Sequence, residues 1–226
     1  MKVLEFHDYK TRHRAVIRKV LATAAARRLD EAAFPAYSHK NPAINWLFWQ
    51  RLKVVIDHIE GLGRFRDVLD FGTGSGVMLP FLASRAERVV AMDIDLHPLE
   101  LVQAEIPLPR NVEVVDGQRQ PIGNYPPGSF DLIVALDVLE HLHELPVAIG
   151  ELVSRLRPGG QIVVSGPTEN ALYKLGRKLA GPEYSGAYHE RGIAEIRAEL
   201  GRHAQVQQIA TLYYPMPLFE VFTGKV

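Results

Sequence analysis

The 226-residue sequence lacks cysteine, long apolar runs and an excess of charge of either sign. The absence of cysteine excludes disulfide bonds, thiolate metal sites and cysteine nucleophiles. No apolar stretch approaches the roughly 18 residues that a membrane helix needs, so we expect no transmembrane segment. Residues 1–8 also lack the apolar core of a signal peptide, and we therefore expect a cytoplasmic protein.

Positive and negative charges balance overall but are unevenly distributed. Residues 1–66 contain 13 Lys or Arg and 6 Asp or Glu, a net charge of +7, whereas the remaining residues contain 13 and 20, a net charge of −7. We interpret the basic residues between 10 and 28 as a solvated helix face over an acidic body. The alternative is a basic surface for an acidic substrate, a lipid headgroup or RNA. Because the whole chain is not strongly basic, we do not expect a nucleic-acid partner.

Hydrophobic periodicity divides the chain after residue 66. Residues 1–66 predict an N-terminal helical cap, with one helix over 8–31 and a second from Asn41-Pro42 to about Gly61. Residues 67–226 predict a second unit in which strands and helices alternate, with a lid over the site at 167–189.

The alternation in the second unit predicts an α/β fold with a doubly wound, mostly parallel sheet. Strands are predicted at 67–70, 88–92, 112–115, 131–136, 161–165, 205–214 and 217–223. Helices are predicted at 75–85, 97–105, 146–156 and 190–201. The segment Leu156–Gly160, which contains Pro158 and Gly159, is predicted as a tight turn into the fifth strand.

Residues 67–76 form the most informative motif of the chain. A short apolar run ends in Asp70, after which Gly72, Gly74 and Gly76 alternate and a helical pattern begins. Glycines let a backbone pass close to a ligand and adopt positive φ. A carboxylate beside a diphosphate would repel it, so Asp70 favours a ligand that carries an amine or ribose hydroxyls.

Three further predicted strands end in an acid, namely Asp93, Asp116 and Asp137. The carboxyl ends of parallel strands meet at one edge of a sheet, so we expect these acids beside the glycine loop. Asp93 follows Asp70 by 23 residues, a spacing that suits one strand–helix–strand unit. Its carboxylate could accept both hydroxyl protons of a ribose, and Asp116 could accept a hydrogen bond from an adenine amino group. Four acids at one edge would attract a cationic ligand.

These segments, together with Asp137–Leu142 and Leu156–Gly160, resemble the class I S-adenosylmethionine-dependent methyltransferases. The similarity is to the branch that includes the quinone-biosynthesis O-methyltransferases, or type 11 methyltransferases, and it extends from Arg66 to Ser165. It implies a Rossmann-like sheet of seven strands with an antiparallel last strand, and S-adenosylmethionine as the cofactor.

The resemblance also implies a role for individual residues of the cofactor site. Asp70 and Gly72 would meet the methionine part of the cofactor, and Thr73, Gly74 and Gly76 would complete the loop. Asp93 would hold the ribose. The remaining contacts would be made by Ile94 packing on adenine, by Asp116 and Gly117 holding adenine, and by Asp137 contacting the methionine amine.

Methyl transfer requires a protein to exclude water, align the nucleophile and remove a proton where the acceptor carries one. The imidazole of His141 is suited to accept that proton near neutral pH, and we name His141 and Asp137 as candidate catalytic residues. Asp137, Glu140 and His141 also offer two oxygen ligands and one nitrogen ligand for a divalent metal such as Mg²⁺. We leave this metal hypothesis open.

Two residues of the N-terminal region, Arg51 and Tyr37, could also lie near the cofactor. Arg51 could pair with the cofactor carboxylate or lie in solvent, and we favour solvent. Tyr37 lies in a predicted loop, from which it could cover the cofactor.

The resulting prediction is a methyltransferase for a small-molecule acceptor, with transfer to oxygen. The alternatives are a methyltransferase for RNA or another macromolecule, a cofactor-binding protein without turnover, and a dinucleotide oxidoreductase. The last would place a third glycine at the sixth position of the loop, but that position, counted from Gly72, is Val77. Nothing in the sequence specifies an oligomeric state.

Overall fold

The structure, a computed structural model, describes residues 3–22, 37, 41–168, 192–213 and 217–226. The helices in these ranges are α1 (Val3–Leu21), α2 (Pro42–Leu62), α3 (Leu79–Arg85), α4 (His97–Gln103), α5 (Leu145–Ser154) and α6 (Ile193–Leu200). The strands are β1 (Phe65–Phe71), β2 (Ala86–Asp93), β3 (Val112–Asp116), β4 (Phe130–Leu136), β5 (Leu156–Pro167), β6 (Gln205–Leu212) and β7 (Phe219–Lys225). Short 3-10 helices lie at Ile122–Asn124 and Leu139–His141.

The strands form one sheet in the order β3-β2-β1-β4-β5-β7-β6. The neighbouring pairs from β3 to β5 are parallel, whereas β7 is antiparallel to both β5 and β6. The predicted seven-stranded, mostly parallel sheet is therefore confirmed, as is its Rossmann-like alternation of strands and helices.

Residues that are adjacent on a strand point to opposite faces of the sheet, and each face has its own core. Val68, on one face, belongs to a buried cluster that also contains side chains of α1, α2, α3 and α4. Leu69, on the other face, belongs to a cluster with side chains of α5 and α6. Helices thus cover both faces, and they leave the ends of the strands available for a site.

The two N-terminal helices are part of the first core. Ile17 of α1 and Trp49 of α2 are buried in the same cluster as Val68. The Tyr9 hydroxyl donates a hydrogen bond to the carbonyl of Val77 at 3.0 Å. Helix α1 is therefore attached directly to the segment that follows the glycine loop.

The helix boundaries differ most from the predicted ones in α1 and α3. Helix α1 begins at Val3 and ends at Leu21, whereas 8–31 was expected; residues 23–31 lie outside the described ranges. Helix α3 begins only at Leu79, because residues 72–78 form turns around three glycines with positive φ.

The predicted turn at Leu156–Gly160 is wrong, because these residues lie inside β5. The register with β4 shifts there: Phe130 pairs with Leu156, and Leu132 pairs with Gln161. Gly159 has a φ of 81°, a conformation that glycine adopts without steric cost, and its N–H bonds the Val226 carbonyl at 2.9 Å. The segment is therefore an irregularity within a strand and does not precede it.

The predicted lid and the expected absence of a transmembrane segment concern larger features of the chain. Of the predicted lid at 167–189, the structure describes Pro167 and Thr168, and the remaining residues lie outside the described ranges. Within the described helices, none combines the length and the apolar character needed to cross a membrane.

Candidate functional site

The parallel register brings the four strand-end acids to one edge of the sheet. Asp70 of β1 lies between Ala91 of β2 and Val134 of β4. Asp93 at the end of β2 pairs directly with Asp116 at the end of β3. Asp137 follows the last residue of β4.

The glycine loop wraps over the end of β2. The N–H groups of Gly72 and Thr73 both donate to the Met92 carbonyl, at 2.9 and 3.1 Å. Gly72 has a φ of 76°, and a Cβ at this position would lie 2.5 Å from a methyl carbon of Val138. Glycine is required here both by the backbone conformation and by the close approach of the segment after β4.

The Asp93 carboxylate holds the loop in place. One of its oxygens accepts a hydrogen bond from the Gly74 N–H at 2.8 Å, and the other accepts one from the Asp95 N–H at 3.1 Å. An ionised carboxylate offers about four acceptor positions, so both oxygens retain capacity for hydroxyl donors. Asp93 is therefore fixed in orientation and remains able to bind a ligand.

Asp70 lies beneath the loop and is buried. Its carboxylate accepts a hydrogen bond from the Thr73 hydroxyl at 2.7 Å. Burial raises the pKa of Asp70 to about 7; the Thr73 hydrogen bond opposes this shift, and the nearby negative charge of Asp93 adds to it. Asp70 thus titrates near neutral pH, which a solvated aspartate does not.

The loops after β2 and β3 contact each other through their backbones. The Gly117 N–H donates to the Asp93 carbonyl at 2.8 Å, and the Gln118 side chain donates to the Ile94 carbonyl at 2.9 Å. Ile94 is 70% exposed, so its apolar side chain is open to solvent beside these two loops. Asp116, beside it, accepts a hydrogen bond from the Gln118 N–H at 2.9 Å.

Asp137 has an unusual backbone and a buried cationic partner. Its φ is 52°, uncommon for a residue other than glycine, and its N–H donates to the Ser165 carbonyl at 2.9 Å. Its carboxylate forms an ion pair with the guanidinium of Arg51, whose side chain is fully buried. The expectation that Arg51 lies in solvent is wrong, because aromatic side chains and Asp137 enclose its guanidinium.

Glu140 and His141 occupy different environments. Glu140 is buried, and a Cβ added at Gly166 would lie 3.9 Å from one of its carboxylate oxygens, whereas His141 is exposed. Together with Asp137 they do not form a cluster suited to a metal, and no such cluster of His, Asp or Glu occurs elsewhere within the described ranges. The geometry therefore gives the hypothesis of a divalent metal no support.

Residues 10–213 match a family model described as a methyltransferase domain. The chain belongs to this methyltransferase family. The prediction of a class I S-adenosylmethionine-dependent methyltransferase is confirmed, and the enzyme is a transferase that uses S-adenosylmethionine.

The chain is similar in sequence to two curated proteins and in fold to a solved structure. A probable S-adenosylmethionine-dependent methyltransferase of Mycolicibacterium smegmatis is 28% identical over 206 residues, covering 79% of this chain and 76% of that protein. A ubiquinone biosynthesis O-methyltransferase of Azotobacter vinelandii is 28% identical over 188 residues, covering 80% and 76%. The N-methyltransferase NodS of Bradyrhizobium japonicum, solved with S-adenosyl-L-homocysteine, shares the fold with a TM-score of 0.61 at 17% identity, covering 95% and 98%.

Sequence reasoning missed the surroundings of Arg51 in this methyltransferase. The Tyr37 hydroxyl accepts a hydrogen bond from Arg51 at 3.2 Å, and the guanidinium carbon lies 5.3 Å from the centre of the Phe48 ring and 4.8 Å from that of Phe219. Tyr37 is buried. The contact with Phe48 could have been predicted, because Phe48 lies on the same helix, three residues before Arg51. The contact with Phe219 could not, because Phe219 is 168 positions from Arg51 in the sequence.

Proposed function

We propose that this methyltransferase transfers a methyl group from S-adenosylmethionine to an oxygen atom of a small-molecule acceptor. The observation that carries the cofactor assignment is the position of the Asp93 carboxylate. It is fixed on the glycine loop at Gly74, it keeps acceptor capacity, and it lies beside Asp116 in the register of β2 and β3.

The chemistry of the residues at this edge fits a nucleoside linked to an amino acid. We assign the ribose hydroxyls to Asp93, whose oxygens can accept two hydroxyl protons. The exposed Ile94 offers an apolar surface to the face of adenine, with Asp116 and Gly117 at its edge. Asp70, Gly72 and Asp137 would hold the amino-acid end, with Thr73, Gly74 and Gly76 completing the loop.

The cofactor, when bound, supplies a methyl group already activated on a positively charged sulfur. The protein then has to exclude water, hold the acceptor oxygen in line and take its proton. Asp137 is engaged as the anionic partner of Arg51. We therefore assign the proton to the exposed imidazole of His141 and give Asp137 a binding role.

Two observations support a small-molecule oxygen acceptor over a macromolecule. The ubiquinone biosynthesis O-methyltransferase of A. vinelandii aligns over most of both chains. On α1, Lys19 already pairs with Glu105 at 2.5 Å, and Arg12 donates to the Glu105 carbonyl at 3.3 Å, so part of the basic helix face binds the acidic body. We propose no second function.

The cofactor assignment is tested by thermal unfolding with S-adenosylhomocysteine and with NAD at equal concentration. A ligand that binds the native state at 100 times its Kd stabilises it by about 2.7 kcal/mol. We expect S-adenosylhomocysteine to raise the Tm and NAD to leave it unchanged. A response to NAD alone would refute the proposed site.

The acceptor class is tested by transfer of a labelled methyl group to a panel of phenols, carboxylic acids, primary amines and short RNAs. We expect transfer to members of the oxygen-nucleophile set. His141→Ala should lower kcat by about 100-fold, the usual contribution of a general base, with little change in cofactor affinity. Transfer to amines or RNA alone would contradict the proposed acceptor.

A further inference from the structure

Arg51 is a buried cation that lies on α2 and pairs with Asp137 of the site. Its side chain has no exposed surface, and it contacts residues from separate parts of the chain, namely Tyr37, Phe48, Asp137 and Phe219. An arginine remains charged when it is buried, so it requires an anion close by. The anion is Asp137, a residue at the edge of the sheet.

The surroundings of the guanidinium leave it little freedom. Phe48 and Phe219 contact each other with ring centres 5.4 Å apart, and the guanidinium carbon lies within 5.3 Å of both ring centres. Cations are attracted to aromatic faces at this range, more strongly when water is excluded. The Tyr37 hydroxyl occupies another side of the group at 3.2 Å.

The backbone at Asp137 is also constrained. Its left-handed conformation is held by the hydrogen bond to Ser165, and the next residue, Val138, packs on Gly72 of the glycine loop. The Asp137 side chain is 22% exposed, whereas the Arg51 side chain that it pairs with is fully buried. Of the four strand-end acids, Asp137 is the one that pairs with a fully buried cation among the described residues.

We propose that Arg51 is a positioning residue that fixes the Asp137 carboxylate for binding the α-ammonium group at the amino-acid end of the cofactor. This inference rests on the proposed function, which assigns Asp137 to that end. A carboxylate already held in its bound orientation loses little conformational freedom when the ammonium group arrives. Arg51 acts through Asp137 and does not itself contact the ligand.

The test measures binding of two probes by calorimetry: S-adenosylhomocysteine, and 5′-methylthioadenosine, which lacks the amino-acid group. The variants are Asp137→Asn, Arg51→Met and the double variant. We expect each single variant to weaken S-adenosylhomocysteine about tenfold or more, the scale of one charged hydrogen bond. Because the two residues act as one unit, the double variant should bind S-adenosylhomocysteine no more weakly than the worse single variant. All three variants should bind 5′-methylthioadenosine within about twofold of the parent, because this probe lacks the amino-acid group.

A matched control separates this role from a general effect of losing an ion pair. Arg157 pairs with Asp67 and Asp131 near the opposite ends of β1 and β4, at 2.7 and 2.8 Å. Arg157→Met should lower the unfolding midpoint without changing the affinity for either probe. If Arg51→Met does not fold, Arg51→Lys keeps the charge but lacks the planar fork, and it should give a smaller loss that disappears in the Asp137→Asn background.

The outcomes separate this inference from the proposed function. If Asp137→Asn weakens S-adenosylhomocysteine but the folded Arg51 variants bind it normally, Arg51 has no positioning role and the function stands. Additive losses would show that Arg51 binds the ligand directly, which also overturns the inference. Unchanged affinity in Asp137→Asn would remove Asp137 from the proposed cofactor site.

Discussion

The carboxylate of Asp93 accepts a hydrogen bond of 2.8 Å from the backbone N–H of Gly74. The bond joins the end of β2 to the loop that follows β1, two segments separated by 19 positions in the sequence. The same side chain accepts the Asp95 N–H on its other oxygen. One acid therefore orders two loops and presents its remaining acceptor positions at the edge of the sheet.

Replacing Asp93 should weaken cofactor binding. Asp93→Ala removes both loop hydrogen bonds and the acceptor that we assign to the ribose, and we expect S-adenosylhomocysteine affinity to fall by about 1–3 kcal/mol. Calorimetry measures the change directly. The control is Asp95→Ala, which removes an exposed acid two residues away; its affinity should stay close to that of the parent.

Replacing Gly72 should destabilise the protein through two separable effects. Gly72→Ala places a side chain at a φ of 76° and drives its Cβ into Val138. The backbone cost is about 1–2 kcal/mol, and overpacking adds a further 1–3 kcal/mol or so. Denaturant unfolding measures the sum.

Gly63 provides the comparison for the Gly72 variant. It has a φ of 103°, and an added Cβ would meet no heavy atom within 4 Å, so Gly63→Ala measures the cost of a positive φ without a steric contact. Val138→Ala removes the two methyl carbons near Gly72 but keeps the Val138 Cβ, which would lie 2.6 Å from the added Cβ, so this second change should recover only part of the stability lost in Gly72→Ala. If Gly72→Ala costs as much stability in the Val138→Ala background as in the parent, the contact with the Val138 methyl groups has no energetic consequence.

Cofactor affinity should depend on pH through Asp70. Burial raises the pKa of this carboxyl to about 7, so part of the population is protonated at neutral pH. An ammonium group favours the ionised form, and S-adenosylhomocysteine affinity should therefore increase as pH rises through about 7. Calorimetry between pH 5.5 and 8.5 in buffers of matched ionic strength tests this.

Two variants identify Asp70 as the titrating group. Asp70→Asn should bind more weakly and lose the pH dependence. Thr73→Val removes the hydrogen bond that favours the carboxylate, so the midpoint should move to higher pH. A midpoint near 7 that persists in Asp70→Asn would assign the titration to another group.

Stability in mild acid should depend on His13, which is fully buried on α1. Burial lowers its pKa from 6.5 to about 4, so the unfolded chain binds a proton that the folded protein excludes between these values. The contribution of His13 to stability is thus present above pH 6.5 and is lost as the pH falls toward 4. From pH 7 to pH 5 the parent should lose about 1–2 kcal/mol more than His13→Gln.

The exposed His7 on the same helix is the control for this effect. His7→Gln changes an exposed position of α1 and should follow the parent at every pH. Urea unfolding at pH 7, 6 and 5 provides the free energies. Parallel pH curves for the parent and His13→Gln would exclude His13 as the cause.

The parallel strands and the edge that carries the acids could be predicted because both follow from local patterns. Apolar runs that end at Asp93 and Asp116 indicate the ends of β2 and β3, and the rules for parallel crossovers place these ends together. The glycine spacing after Asp70 similarly predicts a loop that approaches its neighbours closely. Each inference needs only residues a few positions apart.

The environment of Arg51 could not be predicted because it depends on contacts between distant segments. A polar residue on an amphipathic helix is most often exposed, but Phe219 and Asp137 reach Arg51 only after β4 and β7 have taken their places in the sheet. The turn expected at Leu156–Gly160 failed for a related reason. Gly159 and Pro158 are typical turn residues, yet pairing with the far end of β7 and with β4 extends the strand through them.

Helix α2 shares its buried side chains with the sheet, and this limits how the polypeptide can be shortened. Removing everything before Phe65 would strip away Trp49 and Leu52 and expose to water part of the buried cluster that they share with Val68 and Leu132. Such a fragment would expose a large apolar surface and should aggregate. We therefore expect that the segment from Phe65 onward cannot be produced as a stable domain without α2.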